Sequence, residues 1–555
     1  MACGPNHIVA VVNLQVAFYT KTGTKTFQQT MDQNGFWAGV GGNSEIYSDP
    51  KVFFDAVSHR WFVFMIEVDG LSNGAAQRSR ALVAVSDDDN PNGTWFKYSL
   101  DALINVGGNA LWMDYPTTGM NKDGIAIAGN MFGFSSGGGV AQVMVVPKAP
   151  LLTGASATVS SFQPSGFTIQ PARSWDPAAT NLYCVAQGGG SSLNVYSVSN
   201  ITATPVMVQT TVTVPSYQGP TPAPSAGGNQ LDTLGGRLFN CWYRAGKMVT
   251  AHCVTTAQNG NDHVRWYEVA VNTWPTSGQP TLVQSGEIIP SGSVATHMPA
   301  ICQNAANDIS VIYTRSSATI AADLCISSRF SSDPIGAMGS PVLLQGSSGT
   351  YGAFRWGDFF SCVVDPTDEL TFWGYGMTIT SQGVWETSIH SWQVSTGGVG
   401  TPVDADSITT NVGTFLAGDA SSITSANNVT YQIASAGIPQ FGQAGGAAAT
   451  FTVPTDARAI TIKLASNAGI GGGTNMVWLR NWSTNQYVLI GSVPMPASGN
   501  AIRSITVRST DVSKYISVTG EVDLAVRGHL PIRPFNNSMP NPFLYQIDML
   551  QLLIR

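Results

Sequence analysis

Charge is scarce in this 555-residue chain: Lys, Arg, Asp and Glu make up only 11% of it, and the net charge is −7. No basic stripe is available to neutralise phosphates, which excludes a nucleic-acid or anionic-membrane partner. Long solvated helices, which draw on Lys and Glu, are excluded on the same ground. No apolar run approaches about 18 residues, so nothing reads as a membrane-spanning helix. The seven cysteines and seven histidines form no C-x-x-C pair and no zinc-like His spacing.

What is abundant is glycine, 59 residues of it, together with Ser, Thr and Asn. Short strands joined by many turns need that mixture. Seven times a short apolar run ends in a polar or glycine-containing turn and restarts as a second strand. The restarts are Gly4 to Ile8, Asp55 to Trp61, Asn121 to Ile125, Asp176 to Leu182, Gly235 to Leu238, Asn304 to Ile309 and Asp365 to Leu370. Taking Ile8, Trp61, Ile125, Leu182, Leu238, Ile309 and Leu370 as markers, the spacings are 53, 64, 57, 56, 71 and 61. A hairpin recurring at one four-stranded sheet per step predicts a seven-bladed β-propeller. The turns Asn90-Pro91-Asn92-Gly93-Thr94-Trp95 and Asp333-Pro334-Ile335-Gly336-Ala337-Met338 share a Pro-x-Gly design and a following large residue, which supports internal duplication.

The fold class expected is all-β: a propeller over residues 1–394, a Ser/Gly-rich linker at 395–404, and a β-sandwich of jelly-roll type over 405–555. Sandwich strands are expected from Ala448, Ala459, Met476, Tyr487, Ile505, Val522 and Phe543 onward. The first blade is expected to keep at most a stub of its innermost strand, as in a chain trimmed of an upstream segment. Cys3, Cys184, Cys241, Cys253, Cys302, Cys325 and Cys362 lie mostly within apolar strands, where thiols act as small hydrophobes. Cys241 and Cys253 flank one tight hairpin and are the candidate disulfide; their registry is not legible in the sequence.

Four phrases are distinctive together: Gly4-Pro5-Asn6-His7-Ile8-Val9, Asp114-Tyr115-Pro116, Arg265-Trp266-Tyr267-Glu268 and Arg355-Trp356-Gly357-Asp358-Phe359. They resemble a family of large secreted bacterial proteins, mostly uncharacterised, whose repeats are often labelled sialidase-like propellers. The resemblance covers most of residues 4–395, and the C-terminal region is similar to a sandwich that follows the propeller in some members. It implies an extracellular seven-bladed propeller and no established activity.

Comparable offsets before each marker hold Asp49-Pro50, Asp114-Tyr115-Pro116, Gln170-Pro171, Asp232-Thr233, His297-Met298-Pro299 and Asp358-Phe359. Equivalent inner-strand positions surround one end of a propeller channel. Asp49, Asp114, Asp232 and Asp358, with Gln170 and His297, would then form an oxygen-rich ring suited to Ca²⁺ or to a polyhydroxylated ligand. The plainer role for each Asp is to cap its own strand turn. Tyr115, Arg355 and Trp356 adjoin these residues as candidate ligand contacts, where a sugar ring would stack; Phe359 reads as packing.

Sialidase chemistry would need three converging arginines and a Tyr–Glu pair. Arg60, Arg173, Arg244, Arg265, Arg315 and Arg355 are the arginines near inner or second strands, but Tyr267 and Glu268 are adjacent and must point to opposite faces of a strand. Gly133-Phe134-Ser135-Ser136-Gly137 matches a nucleophile-elbow pattern without the strand-to-helix context. In the sandwich, Trp478, Trp482 and Tyr487 are candidates for a binding face.

The favoured reading is an extracellular, non-enzymatic recognition, adhesion or structural protein. Its propeller funnel and carbohydrate-binding-like sandwich would take a glycan or protein ligand. The alternative is a polysaccharide-acting enzyme, a glycoside hydrolase or lyase of sialidase-like type, with Asp114 and Asp358 as the carboxylates. A deep pocket holding carboxylates of perturbed pKa among convergent donors would point to the enzyme, and a shallow funnel to the scaffold.

Overall fold

Turn-rich sequence with alternating apolar residues leaves little room for helix. Among the described residues, helix is confined to Lys148–Leu151, Ser509–Tyr515 and one 3-10 turn at Ala420–Ile423, and no helix is long and apolar enough to cross a membrane. The computed structural model describes residues 1–135, 137–255, 261–394, 401–455, 457, 460–469, 473–498, 502–507, 509–531 and 539–554. The chain divides into two compact units, one of Met1–Arg329 with Asp333–Trp392, the other of Phe330–Ser332 with Gln393–Arg555.

The first unit is a seven-bladed propeller. Successive blades have the inner strands Ala2–Cys3, Ile46–Asp55, Asn109–Met120, Gln170–Arg173, Leu238–Arg244, Ala295–Gln303 and Ser361–Val364. Each inner strand pairs antiparallel with the strand that the sequence places after the marker turn. Blade 1 has only a two-residue inner strand, and blade 7 has three strands among the described residues.

The recurring turns have a common chemistry. The side chains of Asp55, Asn121, Asp176, Asn304 and Asp365 each accept the backbone N–H of the residue two positions on, at 2.9–3.0 Å. This Asx turn reverses the chain with a local side-chain bond, which is why Asp or Asn recurs at the start of the restarts. The same side chains tie blades together. Asp55 forms an ion pair with Lys148 of blade 3 at 2.6 Å, with both side chains at most 3% exposed, and Lys148 also donates to Asn121 O at 2.9 Å. Asp365 of blade 7 pairs with Lys21 of blade 1 at 2.8 Å and so joins the last blade to the first.

Apolar packing fills the spaces between blades. One cluster joins Phe18 and Val16 of blade 1 to Phe54, Trp61 and Val63 of blade 2; the next joins Phe62 and Phe64 to Met113, Ile127 and Met144 of blade 3. Trp95, the large residue after the Pro-x-Gly turn, meets Phe36 edge-on at 5.3 Å and so anchors its outer strand.

The second unit is a β-sandwich of two six-stranded antiparallel sheets. All seven expected strand positions are occupied, by Gly442–Thr452, Ile460–Asn467, Gly473–Asn481, Gln486–Met495, Arg503–Val507, Glu521–Pro531 and Leu544–Ile554. The expected linker is shorter than read. Residues 395–400 lie outside the described residues, and Thr401–Asp404 is a strand paired with Leu544–Ile554. Polar and short, 401–438 concealed five strands.

The Cys241–Cys253 bridge does not form. Cys241 stands opposite Thr250, and Cys253 pairs across to Val264. All seven cysteines are free and buried. The Gly133–Gly137 segment joins two antiparallel strands, with Ser136 outside the described residues.

Removing one partner of the Lys148–Asp55 pair leaves the other charge uncompensated in the interior. Lys148→Met is expected to lower unfolding stability by about 3–5 kcal/mol in urea titration, and Lys148→Met with Asp55→Asn to recover part of that loss.

Candidate functional site

Closing the ring brings the upper ends of the inner strands together. There the strands are bulged: pairing register shifts between Ser48 and Lys51, between Asp114 and Thr117, and between His297 and Ala300. At the bulges Asp49, Tyr115 and Met298 have φ of 57°, 50° and 53°, and each precedes a proline; Asp358 has φ 86°. Non-glycine residues held there cost of order 1 kcal/mol or more each, and bulges of this kind re-aim side chains beside functional sites.

The bulges open onto a cavity of about 390 Å³ whose lining includes Asp49, Lys51, Arg173, Arg355, Asp358 and Phe359. The inner strands of blades 3, 4 and 5 pair in parallel at Met120, Arg173 and Trp242. Beyond them Trp175 donates to Phe54 O at 3.1 Å, Trp242 donates to Cys362 O at 3.3 Å, and the two indoles meet edge-on at 5.5 Å.

The expected aspartates converge electrostatically. Burial, followed by the charge of Asp49, pushes the Asp114 carboxyl above the usual range. Burial likewise raises Asp358, with Asp49 and Asp232 adding to it and Arg355 opposing it. Arg355 Nη2 lies 3.0 Å from Asp358 Oδ2, and its Nε lies 4.0 Å from Asp232 Oδ2. Asp114 is half-buried beside the pocket, and its carboxyl also senses Arg237. Asp49 accepts the Ser48 hydroxyl at 2.7 Å. Asp232 accepts the Leu234 N–H at 2.9 Å, the turn-capping role, and acts on the site through Arg355 and through its charge on Asp358.

Tyr115 crosses the site as a strut. Its hydroxyl donates to Asp358 O at 3.3 Å, its ring packs on Phe359 at 4.8 Å, and the Arg237 guanidinium lies 4.7 Å from its centroid. Burial pushes its phenol well up, so it stays a neutral donor.

Three expectations fail here. His297 lies outside the pocket lining, is buried within blade 6 against the Ser316 hydroxyl at 3.1 Å, and has its pKa pushed down to about 3 by burial. Gln170 lines the pocket, but its amide donates to Leu238 O at 2.7 Å and holds blades 4 and 5 together. Trp356 lines the pocket but is only 2% exposed, and its indole donates to Thr314 Oγ1 at 3.2 Å, which ties it between blades.

The Ca²⁺ expectation also does not fit. Among the described residues no group of three or more His, Cys, Asp or Glu could hold a metal ion. Asp49, Asp114, Asp232 and Asp358 are interleaved with Lys51, Arg237 and Arg355, whose charges take the place a cation would have. Of the arginines singled out in the sequence, only Arg173 and Arg355 line the pocket; Arg244, Arg265 and Arg315 pair with Glu369, Glu287 and Asp323 elsewhere. Tyr267 bonds His252 at 2.9 Å while Glu268 pairs with Lys247, so they do face apart.

Sequence reasoning missed Lys51 and Arg237 and undervalued Phe359. Lys51 Nζ stands 2.9 Å from the Phe359 ring centroid, and burial, with Arg173 adding to it, lowers its pKa well below the usual lysine range. Lys51 was within reach of the sequence, two residues past Asp49 on the same inner strand. Arg237 follows a Gly-Gly turn and carries no such signal.

In the sandwich, Trp478 and Tyr487 flank a second, shallower cavity with Arg527 over the Trp478 ring at 5.3 Å. Trp482 is held by its indole on Tyr515 O at 3.2 Å.

No protein-family model matches the chain, and no curated protein matches it. Solved structures do. An exo-beta-1,3-galactanase from Phanerochaete chrysosporium, in complex with beta-1,3-galactotriose, is 13% identical with a TM-score of 0.29, covering 99% of this chain and 100% of its own. A Hadza microbial sialidase is 10% identical with a TM-score of 0.35, covering 69% of this chain and 74% of its own. An alpha-L-arabinofuranosidase of Fusarium graminearum, with arabinobiose, is 10% identical with a TM-score of 0.30, covering 62% and 91%. Likeness at this level assigns no residue and no reaction.

The Asp358 carboxyl on the pocket lining and the neighbouring Asp114 carboxyl both have raised pKa, among the convergent donors Arg355, Arg237 and Tyr115. That was the stated mark of an enzyme, so the non-enzymatic reading is set aside.

Because Asp114 and Asp358 titrate above the ordinary carboxylate range, the folded state holds their protons more tightly than the unfolded chain does. Their contribution to stability is complete below about pH 4 and is lost as pH rises through their raised values. Asp114→Asn with Asp358→Asn is expected to flatten the Tm–pH profile above about pH 4 and to raise Tm at neutral pH, as scanning calorimetry would show.

Proposed function

We propose that the protein is a polysaccharide-acting enzyme of the glycan-hydrolase class, acting at the upper end of the propeller axis. The observation that carries this reading is the pair of carboxylates with raised pKa, Asp358 on the lining of a pocket of about 390 Å³ and Asp114 close enough to sense its charge. Glycoside hydrolysis calls for two carboxyl groups in different protonation states. Asp114 has no ion pair within 4 Å among the described residues and takes the part of general acid, protonating the leaving oxygen. Asp358 faces Arg355 at 3.0 Å, which favours its anionic form, and takes the part of base or nucleophile. Burial, with the Asp49 charge adding to it, favours the protonated form of the acid. Tyr115 and Arg355 would orient the sugar. An enzyme of this kind acts on extracellular glycans, in keeping with the secreted family the sequence resembles.

Reducing-end release from a panel of plant, microbial and animal polysaccharides tests the reading. Asp114→Asn and Asp358→Asn are each expected to cut turnover by about 10²–10⁴-fold with the fold intact. Undiminished release by both variants would contradict the assignment.

A further inference from the structure

We propose that the inner part of the axial pocket is an oxyanion site built by Lys51, Arg173 and Thr118, and that it seats a carboxylate or sulfate group carried by the glycan. The oxyanion site stands on its own observations; the glycan as its carrier rests on the reading above.

Three consecutive blades supply the groups. Lys51 comes from Ile46–Asp55, Thr118 from Asn109–Met120 and Arg173 from Gln170–Arg173, and all three line the pocket. Among the described residues no carboxylate lies within 4 Å of either cation. Elsewhere in the propeller, enclosed cations have one: Lys148 has Asp55 at 2.6 Å, Arg315 has Asp323 at 2.9 Å, and Arg265 has Glu287. Asp49 and Asp358 act on Lys51 only from beyond 4 Å; buried charges are ordinarily paired in contact, so two enclosed basic groups facing one cavity without a contacting carboxylate point to an anion that arrives from outside.

Two further observations agree. Thr118 is 6% exposed, and its buried hydroxyl has no hydrogen-bond partner among the described residues. Burial also depresses both cations: Lys51 lies well below the usual lysine range, with Arg173 adding to the effect, and Arg173 is lowered to about 10. An oxyanion would accept a forked pair of bonds from the guanidinium, one from the ammonium and one from the hydroxyl.

The pocket volume and the charges on its lining argue for an anionic group on a larger body. About 390 Å³ falls in the range of organic-ligand pockets. Asp49 and Asp358 line the same pocket and would repel a free anion, a cost that sugar contacts at Tyr115, Phe359 and Arg355 would offset.

The test uses the full chain with sodium sulfate and sodium acetate as probes, against sodium chloride at equal ionic strength. Wild type is expected to gain Tm with the oxyanions. Arg173→Gln and Lys51→Gln are expected to weaken sulfate binding by about tenfold or more, as loss of a charge-assisted hydrogen bond requires. Arg173→Lys, which keeps the charge and guards against misfolding, should retain part of it. Polyuronate, sulfated and neutral polysaccharides then separate the carriers, the anionic polymers being cleaved and the neutral ones not. Absence of any oxyanion-specific shift in wild type overturns the site even if neutral glycans are cleaved. A specific shift without cleavage of any glycan upholds the site and sinks the catalytic reading instead.

Discussion

Like charges at close quarters govern this molecule. Seven inner strands that converge on one axis must bring their upper ends together, and here those ends bear Asp49, Asp114 and Asp358. In an open sheet the three carboxylates would separate into water. The ring forbids that, because each strand is fixed by inter-blade packing and by the Lys148–Asp55 and Lys21–Asp365 links near its other end. Repulsion that cannot relax structurally relaxes chemically, by retaining protons. Burial is the larger cause of the raised pKa of Asp114 and Asp358, and the like charges that the ring holds nearby add to it.

The backbone makes a matching concession. Asp49, Tyr115, Met298 and Asp358 take positive φ although none is glycine, and three of them stand before proline. These bulges aim side chains at the axis from strands whose regular pleat would send them between blades. Cations complete the arrangement in two layers. Arg355 and Arg237 moderate the carboxylates, whereas Lys51 and Arg173 lie further along the inner strands without carboxylate partners. The pocket lining thus holds Asp49 and Asp358 together with Lys51, Arg173 and Arg355.

Much of the fold was legible because the Asx turn is a local device. Asp or Asn at the start of five restarts announces the same reversal five times, and the spacing of those turns gives the blade count. The placement of Asp49 and Asp114 on inner strands, and of Asp358 just before one, was read from that periodicity. What escaped notice depends on partners distant in sequence. His297 and Gln170 occupy the same offset as the aspartates, but their side chains are claimed by Ser316 and Leu238. Trp356 looked like a sugar platform beside Asp358 until Thr314 took its indole. Cys241 and Cys253 flank one hairpin, yet the turn that sets Arg244 opposite Lys247 puts Thr250, three residues short of Cys253, opposite Cys241. The first strands of the sandwich were hidden because their residues are mostly polar and partly exposed, so alternation gave no signal.

The coupling of the axial carboxylates is the quantity on which everything else turns. NMR of the chain labelled with ¹³Cγ-aspartate, titrated in wild type and in Asp49→Asn, measures it directly. Asp114 and Asp358 should titrate above the ordinary Asp value of about 3.9, and both midpoints should fall when Asp49 loses its charge. Ordinary midpoints that ignore the Asp49 substitution would contradict the account.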